Sequence, residues 1–320
     1  LRRRGAGRSF RYPTRMIRPY RTEADEGALL GLWNAVMTRD PVTAEVFRRR
    51  TLGDPNFDPA GCLLAEAGGA PVGFALAVPP GRPHLFANEP GTGRIAALGV
   101  LPPHRQRGIG TALLDGALSS LAGKGCRNVV VAAHEHFMPG VDREAYADGL
   151  GFLVRRGFRE TGEAVAMGRP LYDLPWPAAA REAETRLARQ GVVVRLFESG
   201  DRVATEGFLA VEFPTYIEFF NAKLDGGTAR EDVVLACAGH RVVGCCQRIE
   251  ADHVGPFGVA AGFRDRGVGT VMLYRLLDAM RARGYRFAWF GHTGRAQPYY
   301  ARAGFSVTRR YALLERRLGA

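Results

Sequence analysis

Apolar and polar residues follow one another in an order of elements that occurs twice along the chain. Each copy contains a stretch with apolar residues every three or four positions, which predicts an amphipathic helix. A short apolar run, residues 129–131 or 287–290, follows each stretch after a glycine-containing break and predicts a strand. The helical stripes are Leu113, Leu114, Ala117, Leu118 and Leu121 in the first copy, and Met272, Leu273, Leu276, Leu277 and Met280 in the second. We therefore predict two domains of the same α/β type.

Candidate antiparallel strands precede each predicted helix. Apolar runs separated by glycines are typical of hairpins. The paired runs are residues 63–65 with 72–76 around Gly68 and Gly69, and residues 233–236 with 242–245 around Gly239. Together with the helix and strand that follow, these hairpins predict a mixed, mostly antiparallel central sheet flanked by helices in each domain.

The two copies are joined by a proline-containing segment and a helix. Pro175 and Pro177 end a strand, and the Ala/Glu/Arg-rich run 178–190 before Gly191 predicts a helix. The predicted organisation is a basic disordered leader at 1–15, an N-terminal domain at 16–175, a linker helix at 176–191 and a C-terminal domain at 192–320.

Length and composition agree with two folded domains. The 320 residues suit two domains of about 150 residues each, and 46% hydrophobic with 24% charged residues excludes wholesale disorder. No apolar run approaches the roughly 20 residues of a membrane helix, so we expect no membrane partner. The five cysteines are odd in number and lack CxxC spacing, which argues against a disulfide framework or a zinc site and favours a reduced, cytoplasmic protein.

The net charge of +12 is concentrated at the N-terminus, where six arginines and no acid lie in the first fifteen residues. This segment lacks the apolar core of a secretory signal. An arm that binds nucleic acid is the alternative to a disordered extension. The positive charge elsewhere suits a protein that handles an anionic ligand.

The most informative repeat is a glycine-containing motif between a strand and a helix. It is RQRGIG at 105–110 and RDRGVG at 264–269. The glycines allow a close backbone approach, and the first turn of the helix offers outward N–H groups at the positive end of its dipole. The arginines add charge, so the motif predicts a pyrophosphate cradle. It differs from the GxxxxGK[ST] of a Walker loop and the GxGxxG of a dinucleotide fold.

These motifs resemble those of the GNAT superfamily of acyl-CoA N-acyltransferases, over nearly all of residues 16–318 and in two tandem copies. The tandem arrangement is similar in architecture to that of mycothiol synthase, although the motifs do not choose among tandem members. The resemblance implies acetyl-CoA as cosubstrate, in one or both domains, with pantetheine lying beside a splayed strand. The implied cofactor-binding residues are Val100, Arg105, Arg107, Gly108, Ile109, Gly110 and Thr111, and Val259, Arg264, Arg266, Gly267, Val268, Gly269 and Thr270.

The family's closing motif implies that the two domains differ. Each copy ends in Gly-Phe, beginning at Gly157 or Gly304. Four residues before Gly304 lies Tyr300, at the place of the tyrosine that protonates the leaving thiolate in this family. The same count from Gly157 reaches Leu153, which cannot donate a proton. The resemblance therefore implies a catalytic C-terminal domain with Tyr300 as general acid and a degenerate N-terminal domain. The alternative for Tyr300 is an aromatic residue that packs a helix on the sheet.

Transfer to an amine needs a group that accepts a proton. The candidates are Glu250, Asp252 and His253 on the approach to Val259, and His292 after the next strand. Glu250 and His253 are preferred because we expect them near the mouth of the cleft, although each has the alternative of being a solvated surface residue.

A cysteine nucleophile is less favoured than direct transfer in a ternary complex. Cys245 and Cys246 are adjacent, so on a strand they point to opposite faces, and their apolar neighbours predict buried, inert thiols.

Two further segments are candidates for lining a pocket. The first copy has extra residues around His134 and His136, where we expect no metal because no third ligand follows at a typical spacing. In the second copy, Tyr216, Glu218 and Phe219 are expected to border an acceptor pocket. The residues predicted to form the adjoining core face are Phe213, Ile217, Phe220 and Leu224.

The favoured function is transfer of an acetyl group to a primary amine of a small molecule. A non-catalytic acyl-CoA-binding module is the alternative. A basic nucleic-acid-binding protein is the least favoured alternative, because the sequence contains no RNP, zinc-finger or helix-turn-helix pattern. Two similar domains in one chain mimic a dimer, so a monomer is expected, with a homodimer as the alternative.

Overall fold

The computed structural model describes residues 17–81, 90–132 and 138–319. The chain forms two compact units, one made of residues 1–163 and 311–320 and the other of residues 164–310. The predicted leader at 1–15 and the residues His134 and His136 lie outside the described residues, so the predictions made for them stay predictions.

The first unit is a mixed sheet with helices packed on it. Its sheet order is β1-β2-β3-β4-β5-β13, with β4 and β5 parallel and the other neighbours antiparallel. The strands are β1 Ile17–Pro19, β2 Cys62–Ala67, β3 Ala70–Val78, β4 Thr92–Val100, β5 Asn128–Val131, β6 Val141–Asp142, which also pairs with β13, the beginning of β7 Arg159–Pro170, and the end of β13 Ser306–Arg317. The helices are α1 Glu26–Val36, α2 Ala44–Phe47, α3 Ile109–Gly123 and α4 Ala147–Arg155.

The second unit repeats this plan. Its sheet order is β8-β9-β10-β11-β12-β7, with β11 and β12 parallel and the other neighbours antiparallel. The further strands are β8 Val192–Leu196, β9 Val233–Ala238, β10 Arg241–Glu250, β11 His253–Val259 and β12 Phe287–Phe290. The helices are α5 Ala178–Arg189, α6 Arg202–Glu212, α7 Ile217–Asp225, α8 Ala229–Asp232, α9 Val268–Ala282 and α10 Gln297–Arg302. The predicted fold class, two mixed and mostly antiparallel sheets with helices, is confirmed.

The unit boundaries differ from the predicted ones at two strands. The end of β7 pairs with β12 and buries Val165 and Met167 in the core of the second unit. The end of β13 pairs with β5 and buries Ala312 and Leu314 in the core of the first unit. Each sheet is thus completed by a strand from the other copy's sequence, and a boundary placed at 175–191 misses both strands.

The predicted helical stripes form the centre of each core. All five apolar positions of each stripe are buried on α3 and α9. The predicted linker helix is α5, but it belongs to the second unit, because Ala180, Ala183 and Leu187 are buried in the same cluster as the α9 stripe.

The segment around residue 213 differs from the prediction of one continuous helical face. Helix α6 ends at Glu212, a short 3-10 turn covers Pro214–Tyr216, and α7 starts at Ile217. Because of this break, Phe213 is only half-buried and stacks on Tyr216 at 5.2 Å between ring centroids, while Phe219 is buried.

The described residues bear on two possible partners, a membrane and a metal ion. None of the helices in the described part of the chain has the length and apolar character that crossing a membrane requires. Within residues 17–81, 90–132 and 138–319, no group of three His, Cys, Asp or Glu side chains is placed to hold a metal ion.

Candidate active site

The two glycine motifs adopt the same backbone conformation. Gln106 and Asp265 both have φ of 58°, and the residues that cap the helices, Gly108 and Gly267, have φ of 85° and 87°. These left-handed positions favour glycine because a Cβ would clash with the backbone there. The chain therefore enters α3 and α9 by the same tight turn.

The first arginine of each motif braces its own loop. The Arg105 Nε donates to the carbonyl oxygen of Val100 at 2.9 Å, and the Arg264 Nε donates to that of Val259 at 3.0 Å. Each bond ties the loop to the end of its strand and leaves the remaining guanidinium N–H groups at the loop, where both arginines are exposed. Positive charge thus stays at the helix N-terminus, as the motif predicts.

The free backbone donors lie at the start of each helix. The first helical bonds run from the Ala112 N–H to the carbonyl of Gly108 and from the Val271 N–H to that of Gly267. The amides before these residues have no partner within their helix and lie at the positive end of the helix dipole. Such amides bind phosphate oxygens well.

Each strand that leads to a loop separates from its parallel neighbour. The β4–β5 pairing ends at Ile95 with Val131, while β4 continues to Val100. The β11–β12 pairing is confined to His253 with Trp289, although β11 continues for six more residues, 254–259. Among the described strands, this edge of β4 and β11 is left unpaired beyond those positions. An unpaired edge offers N–H and C=O groups to an extended amide-containing chain.

Helix α5 distinguishes the second loop from the first. The Arg266 guanidinium donates to the Gln190 Oε1 at 2.6 Å, and the Arg186 guanidinium donates to the Arg266 carbonyl at 3.1 Å. Gly108 is exposed, whereas Gly267 is partly covered. Arg266 is therefore held on the side of the loop by α5, while Arg107 is exposed to solvent.

Tyr300 and Leu153 occupy corresponding positions on α10 and α4. Tyr300 is 6% exposed, and its ring packs on Phe290, the last residue of β12, at 4.1 Å between centroids. This contact places the tyrosine where β11 and β12 separate. Leu153 is also 6% exposed and lies in the apolar core of the first unit, so its prediction as a core residue is confirmed.

The surroundings of Tyr300 keep its phenol protonated. Burial raises the pKa of Tyr300 well above its ordinary value, and the neighbouring Cys246 and Tyr216 raise it further. The phenol therefore carries its proton throughout the neutral range, as a general acid must. Cys246 packs with Tyr300 in the cluster of the α9 layer, whereas Tyr216 packs with the α6–α7 layer.

Tyr299 is a residue whose position sequence reasoning did not assign to the site. Its hydroxyl would lie 3.6 Å from a Cβ placed on Gly269, in the first turn of α9. In the first unit the ring of Phe152 lies 3.7 Å from a Cβ placed on Gly110. The two aromatic residues thus cover the same turn, and the second unit adds a hydroxyl. Burial raises the pKa of Tyr299, and the Thr270 hydroxyl partly offsets this shift.

The candidate bases lie at the start of the split. Glu250 and His253 pair with each other across the β10–β11 turn, and His253 is the residue of β11 that pairs with β12. The His253 ring stacks on Trp289 at 3.9 Å, and the Trp289 indole N–H donates to the Asp252 carboxylate at 2.8 Å. The structure therefore brings His253 and Glu250 together, whereas Asp252 is occupied by Trp289.

His292 stands just after β12. Although the residue is exposed, partial burial of its ring lowers the pKa of His292. A neutral imidazole results at neutral pH, which is the form that can accept a proton. The role of base in this site stays a prediction for His253, Glu250 and His292 alike.

The five cysteines are free and buried. Burial raises the pKa of the Cys245 thiol to about 12 and that of Cys246 well above its ordinary value. Cys245 faces the α6–α7 layer and Cys246 the α9 layer, as their adjacent positions on β10 predict. A thiol that stays protonated is a poor nucleophile, so neither group is suited to carry an acyl intermediate.

These features fit an acyl-CoA. The loops offer amides and arginine charge of the kind that suits a pyrophosphate. The unpaired strand edges suit an extended amide-containing chain such as pantetheine. At the place of Tyr300 in the second unit, the first unit has Leu153. The repeat in the sequence singles out the loops and Tyr300, and their roles stay predictions. Sequence reasoning missed that α5 covers the second loop. The sequence feature that could have indicated this is the small side chain of Ala183, which lies against Gly267.

Comparisons with known proteins agree with this geometry. The model of the acetyltransferase (GNAT) family matches residues 30–168 and 194–305, which is more than half of the chain. The chain therefore belongs to the GNAT acetyltransferase family, in two tandem copies, and is an acyltransferase of a family that uses acetyl-CoA or another acyl-CoA.

Particular relatives share the architecture. The mycothiol acetyltransferase of Mycobacterium marinum is 35% identical over 119 residues, covering 33% of this chain and 36% of that protein. The chain thus matches about a third of the length of the mycothiol acetyltransferases. A tandem GNAT protein from the clavulanic acid biosynthesis pathway superposes with a TM-score of 0.65 at 16% identity, covering 95% of this chain and 98% of that one.

A fungal protein gives a further structural match. The GCN5-related glucosamine N-acetyltransferase region of a multi-domain β-N-acetylglucosaminidase has a TM-score of 0.79 at 17% identity. The match covers 94% of this chain and 38% of that one. At these identities the structural matches show the tandem fold alone.

Proposed function

We propose that the protein transfers an acetyl group from acetyl-CoA to a primary amine of a small molecule, by direct transfer within a ternary complex in the second unit. The observation that supports this proposal is the packing of Tyr300 on Phe290 where β11 leaves β12, in the unit whose Gly267 turn leads into the N-terminus of α9. The relatives named mycothiol acetyltransferase support the transfer of an acetyl group.

The residues of the second unit divide the work. Amides of residues 264–270 hold the pyrophosphate, with Arg264 and Arg266 adding charge. The edge of β11 up to Val259 holds pantetheine. The amine nitrogen then attacks the thioester carbonyl, the C–S bond breaks, and Tyr300 provides a proton to the sulfur as its charge develops. His253 or Glu250 takes the proton that the amine loses.

The raised pKa of Tyr300 sets how this phenol acts. A phenol that holds its proton more tightly than a thiol stabilises the departing sulfur first as a hydrogen-bond donor. The proton passes to the sulfur as the C–S bond breaks, and the proton that His253 or Glu250 takes from the amine returns the phenol to its protonated form. This role needs the hydroxyl and not the ring, since the ring contacts with Phe290 and Phe305 serve packing.

The first unit is proposed to bind acetyl-CoA without turning it over. Its loop has the same backbone as the second, and its Arg107 and Gly108 are exposed. Leu153 offers no proton at the place of Tyr300. The protein would thus combine a site that only binds acyl-CoA in the first unit with a catalytic site in the second.

Binding stoichiometry and turnover of two matched variants test the proposal. A Cβ at Gly110 or Gly269 would make ordinary contacts only, so Gly110→Val and Gly269→Val fill the cradles with little effect on the backbone. Calorimetry with acetyl-CoA is expected to give two sites for the native protein and one for each variant. Release of CoA with a panel of primary amines is expected to persist in Gly110→Val and to vanish in Gly269→Val.

The opposite pattern would contradict the assignment. Turnover that survives Gly269→Val and disappears with Gly110→Val would make the first unit the enzyme. Two bound molecules with no release of CoA for any amine would make the whole chain an acyl-CoA-binding module. Mass spectrometry of the acceptor confirms that the acetyl group reaches nitrogen.

A further inference from the structure

Gln247 is a buried polar residue with unsatisfied hydrogen-bonding groups. It lies on β10, is 1% exposed, and neither its Oε1 nor its Nε2 has a hydrogen-bond partner among the described residues. A carboxamide can accept at its oxygen and donate twice from its nitrogen. Buried polar groups are nearly always paired, because an unmade bond leaves the cost of removing the group from water.

The side chain of Gln247 faces the layer formed by α6 and α7. Gln247 pairs with Val233 and stands two residues from Cys245, and residues at these positions share one face of a sheet. Val233 and Cys245 both belong to the apolar cluster that includes Phe220 of α7. None of the side chains of that cluster, nor the Tyr216 hydroxyl that packs against it, hydrogen-bonds the Gln247 carboxamide.

Gln247 also lies beside the point where the sheet splits. Its neighbours Cys246 and Arg248 pair with Phe257 and Val254, so Gln247 stands opposite the stretch between those two residues. That stretch begins just after His253, where β11 leaves β12. Neighbouring strands lie about 4.8 Å apart, so the carboxamide is one strand away from the start of the split.

Two neighbours link this position to the reacting groups. Cys246, the residue next to Gln247, belongs to the same buried cluster as Tyr300. Tyr216 packs on the cluster that Gln247 faces. The amide therefore lies on the face of the sheet opposite the α9 layer, next in sequence to a residue that packs in the cluster of Tyr300.

At the position that corresponds to Gln247, the first unit has a leucine. Gly73 pairs with Val100 and Gly244 with Val259, so counting along β3 and β10 places Leu76 at the position of Gln247. Leu76 is 3% exposed, and its side chain has no polar atom that needs a hydrogen-bond partner. The unit with Leu153 thus has a leucine here as well, while the unit with Tyr300 has a carboxamide.

We propose that the Gln247 carboxamide binds the acceptor, through a hydroxyl or carboxamide that the acceptor carries next to the amine to be acetylated. Such a group both donates and accepts, so it satisfies the Oε1 and Nε2 together, which a plain alkyl chain or a carboxylate cannot do. This inference rests on the proposed function and makes Gln247 a specificity-determining residue of the same site.

The Gln247→Met variant tests the proposal, since methionine keeps the length of the side chain and removes both polar groups. The acceptor probes are trans-2-aminocyclohexanol and cyclohexylamine, which differ by one hydroxyl. The native enzyme is expected to have a kcat/KM about tenfold or more higher for the hydroxyl compound. A factor of this size corresponds to the free energy of one hydrogen bond to a buried amide. Gln247→Met is expected to abolish this preference while the KM for acetyl-CoA stays unchanged.

Stability gives a readout that does not depend on turnover. Because the free protein leaves the amide unsatisfied, Gln247→Met is expected to raise Tm by about 2–6 °C. The matched control is Leu76→Gln, which places the same amide in the first unit and is expected to lower Tm and leave the amine preference intact. A lower Tm for Gln247→Met would show that the amide is satisfied inside the fold and would overturn the inference.

The two proposals fail in different ways. If neither amine is acetylated although acetyl-CoA binds, the proposed function fails, and calorimetry of aminocyclohexanol with native protein and Gln247→Met then decides the role of the amide. If both amines are acetylated with the same kcat/KM by the native enzyme and the variant, the proposed function stands and the inference about Gln247 is wrong.

Discussion

Ala183 of helix α5 lies against Gly267, the residue that caps α9, so closely that a Cβ added at Gly267 would approach the Ala183 Cβ to 2.8 Å. Gly108 has the same left-handed φ in the first unit, and nothing lies within 4 Å of a Cβ added there. The same turn is therefore enclosed in one unit and open in the other.

This difference predicts unequal effects of the same substitution. Gly108→Ala is expected to cost about 1–2 kcal/mol, the strain of a left-handed residue with a Cβ. Gly267→Ala carries the same strain and in addition forces α5 away from the loop. Overpacking of this kind is expected to lower the free energy of unfolding by about 1–3 kcal/mol more. Urea unfolding of the two variants measures the difference, and equal losses would show that α5 does not press on the loop.

Removing the Tyr300 hydroxyl is expected to lower kcat about 10²-fold or more, the lower range of general-acid effects. Tyr300→Phe keeps the ring contacts with Phe290 and Phe305, so acetyl-CoA binding and Tm are expected to change little. Steady-state kinetics with an amine acceptor and calorimetry with acetyl-CoA separate these quantities. A large loss of binding with kcat preserved would assign Tyr300 to packing alone.

The pH profile provides a second check on Tyr300. Because burial raises the pKa of this phenol above its ordinary value of 10.0, the hydroxyl stays protonated through the assay range. The kcat of the native enzyme is therefore expected to show no loss from phenol ionisation below about pH 10. An alkaline loss near pH 8 that Tyr300→Phe removes would show that the phenol ionises much earlier.

Much of this organisation is predictable from the sequence because it repeats. The glycine motifs, the apolar stripes and the contrast between Leu153 and Tyr300 follow from comparing the two copies. The completion of each sheet by Val165 or Leu314 is a long-range pairing, and nothing in the local pattern distinguishes it from pairing within one copy. Gln247 was missed for a related reason, since an unsatisfied amide is visible only after its neighbours are placed.

The buried thiols predict a protein that resists thiol reagents. All five cysteines are buried, and burial raises the pKa of Cys62 and of Cys245 to about 12. Native protein is expected to react with iodoacetamide far more slowly than denatured protein, in which all five thiols react. One fast thiol in the native protein whose alkylation stops turnover would instead favour an acyl-cysteine route.

The same thiols affect stability at alkaline pH. A thiol whose pKa is raised by folding is protonated in both states below about pH 8, so its contribution to stability is complete there. Above that pH the unfolded chain loses thiol protons that the folded chain retains, which favours unfolding. The unfolding free energy is therefore expected to fall from about pH 9 upward, and Cys245→Ser is expected to reduce that slope.

A buried carboxylate holds the second unit together at the start of β9. Asp232 is fully buried and accepts two bonds from Arg248 at 2.7 Å and one from Arg283 at 2.6 Å, with Lys223 at 3.2 Å. Burial opposes its ionisation, but a bond from Thr228 and the charges of Lys223 and Arg248 hold the pKa of Asp232 below its ordinary value.

Asp232→Asn is expected to destabilise the second unit by about 3–5 kcal/mol, because it leaves buried cations without their counter-charge. The matched control is Glu231→Gln, since Glu231 also contacts Arg283 at 3.0 Å but is exposed, and surface pairs contribute only about 0–1 kcal/mol. A lowered pKa stabilises the folded state above the unfolded value near 4, so this contribution is lost as pH falls below it. Denaturant unfolding at pH 7 and pH 3 is expected to show a large gap between native protein and Asp232→Asn that narrows at the lower pH, and equal stability of the two variants at pH 7 would contradict the role of Asp232.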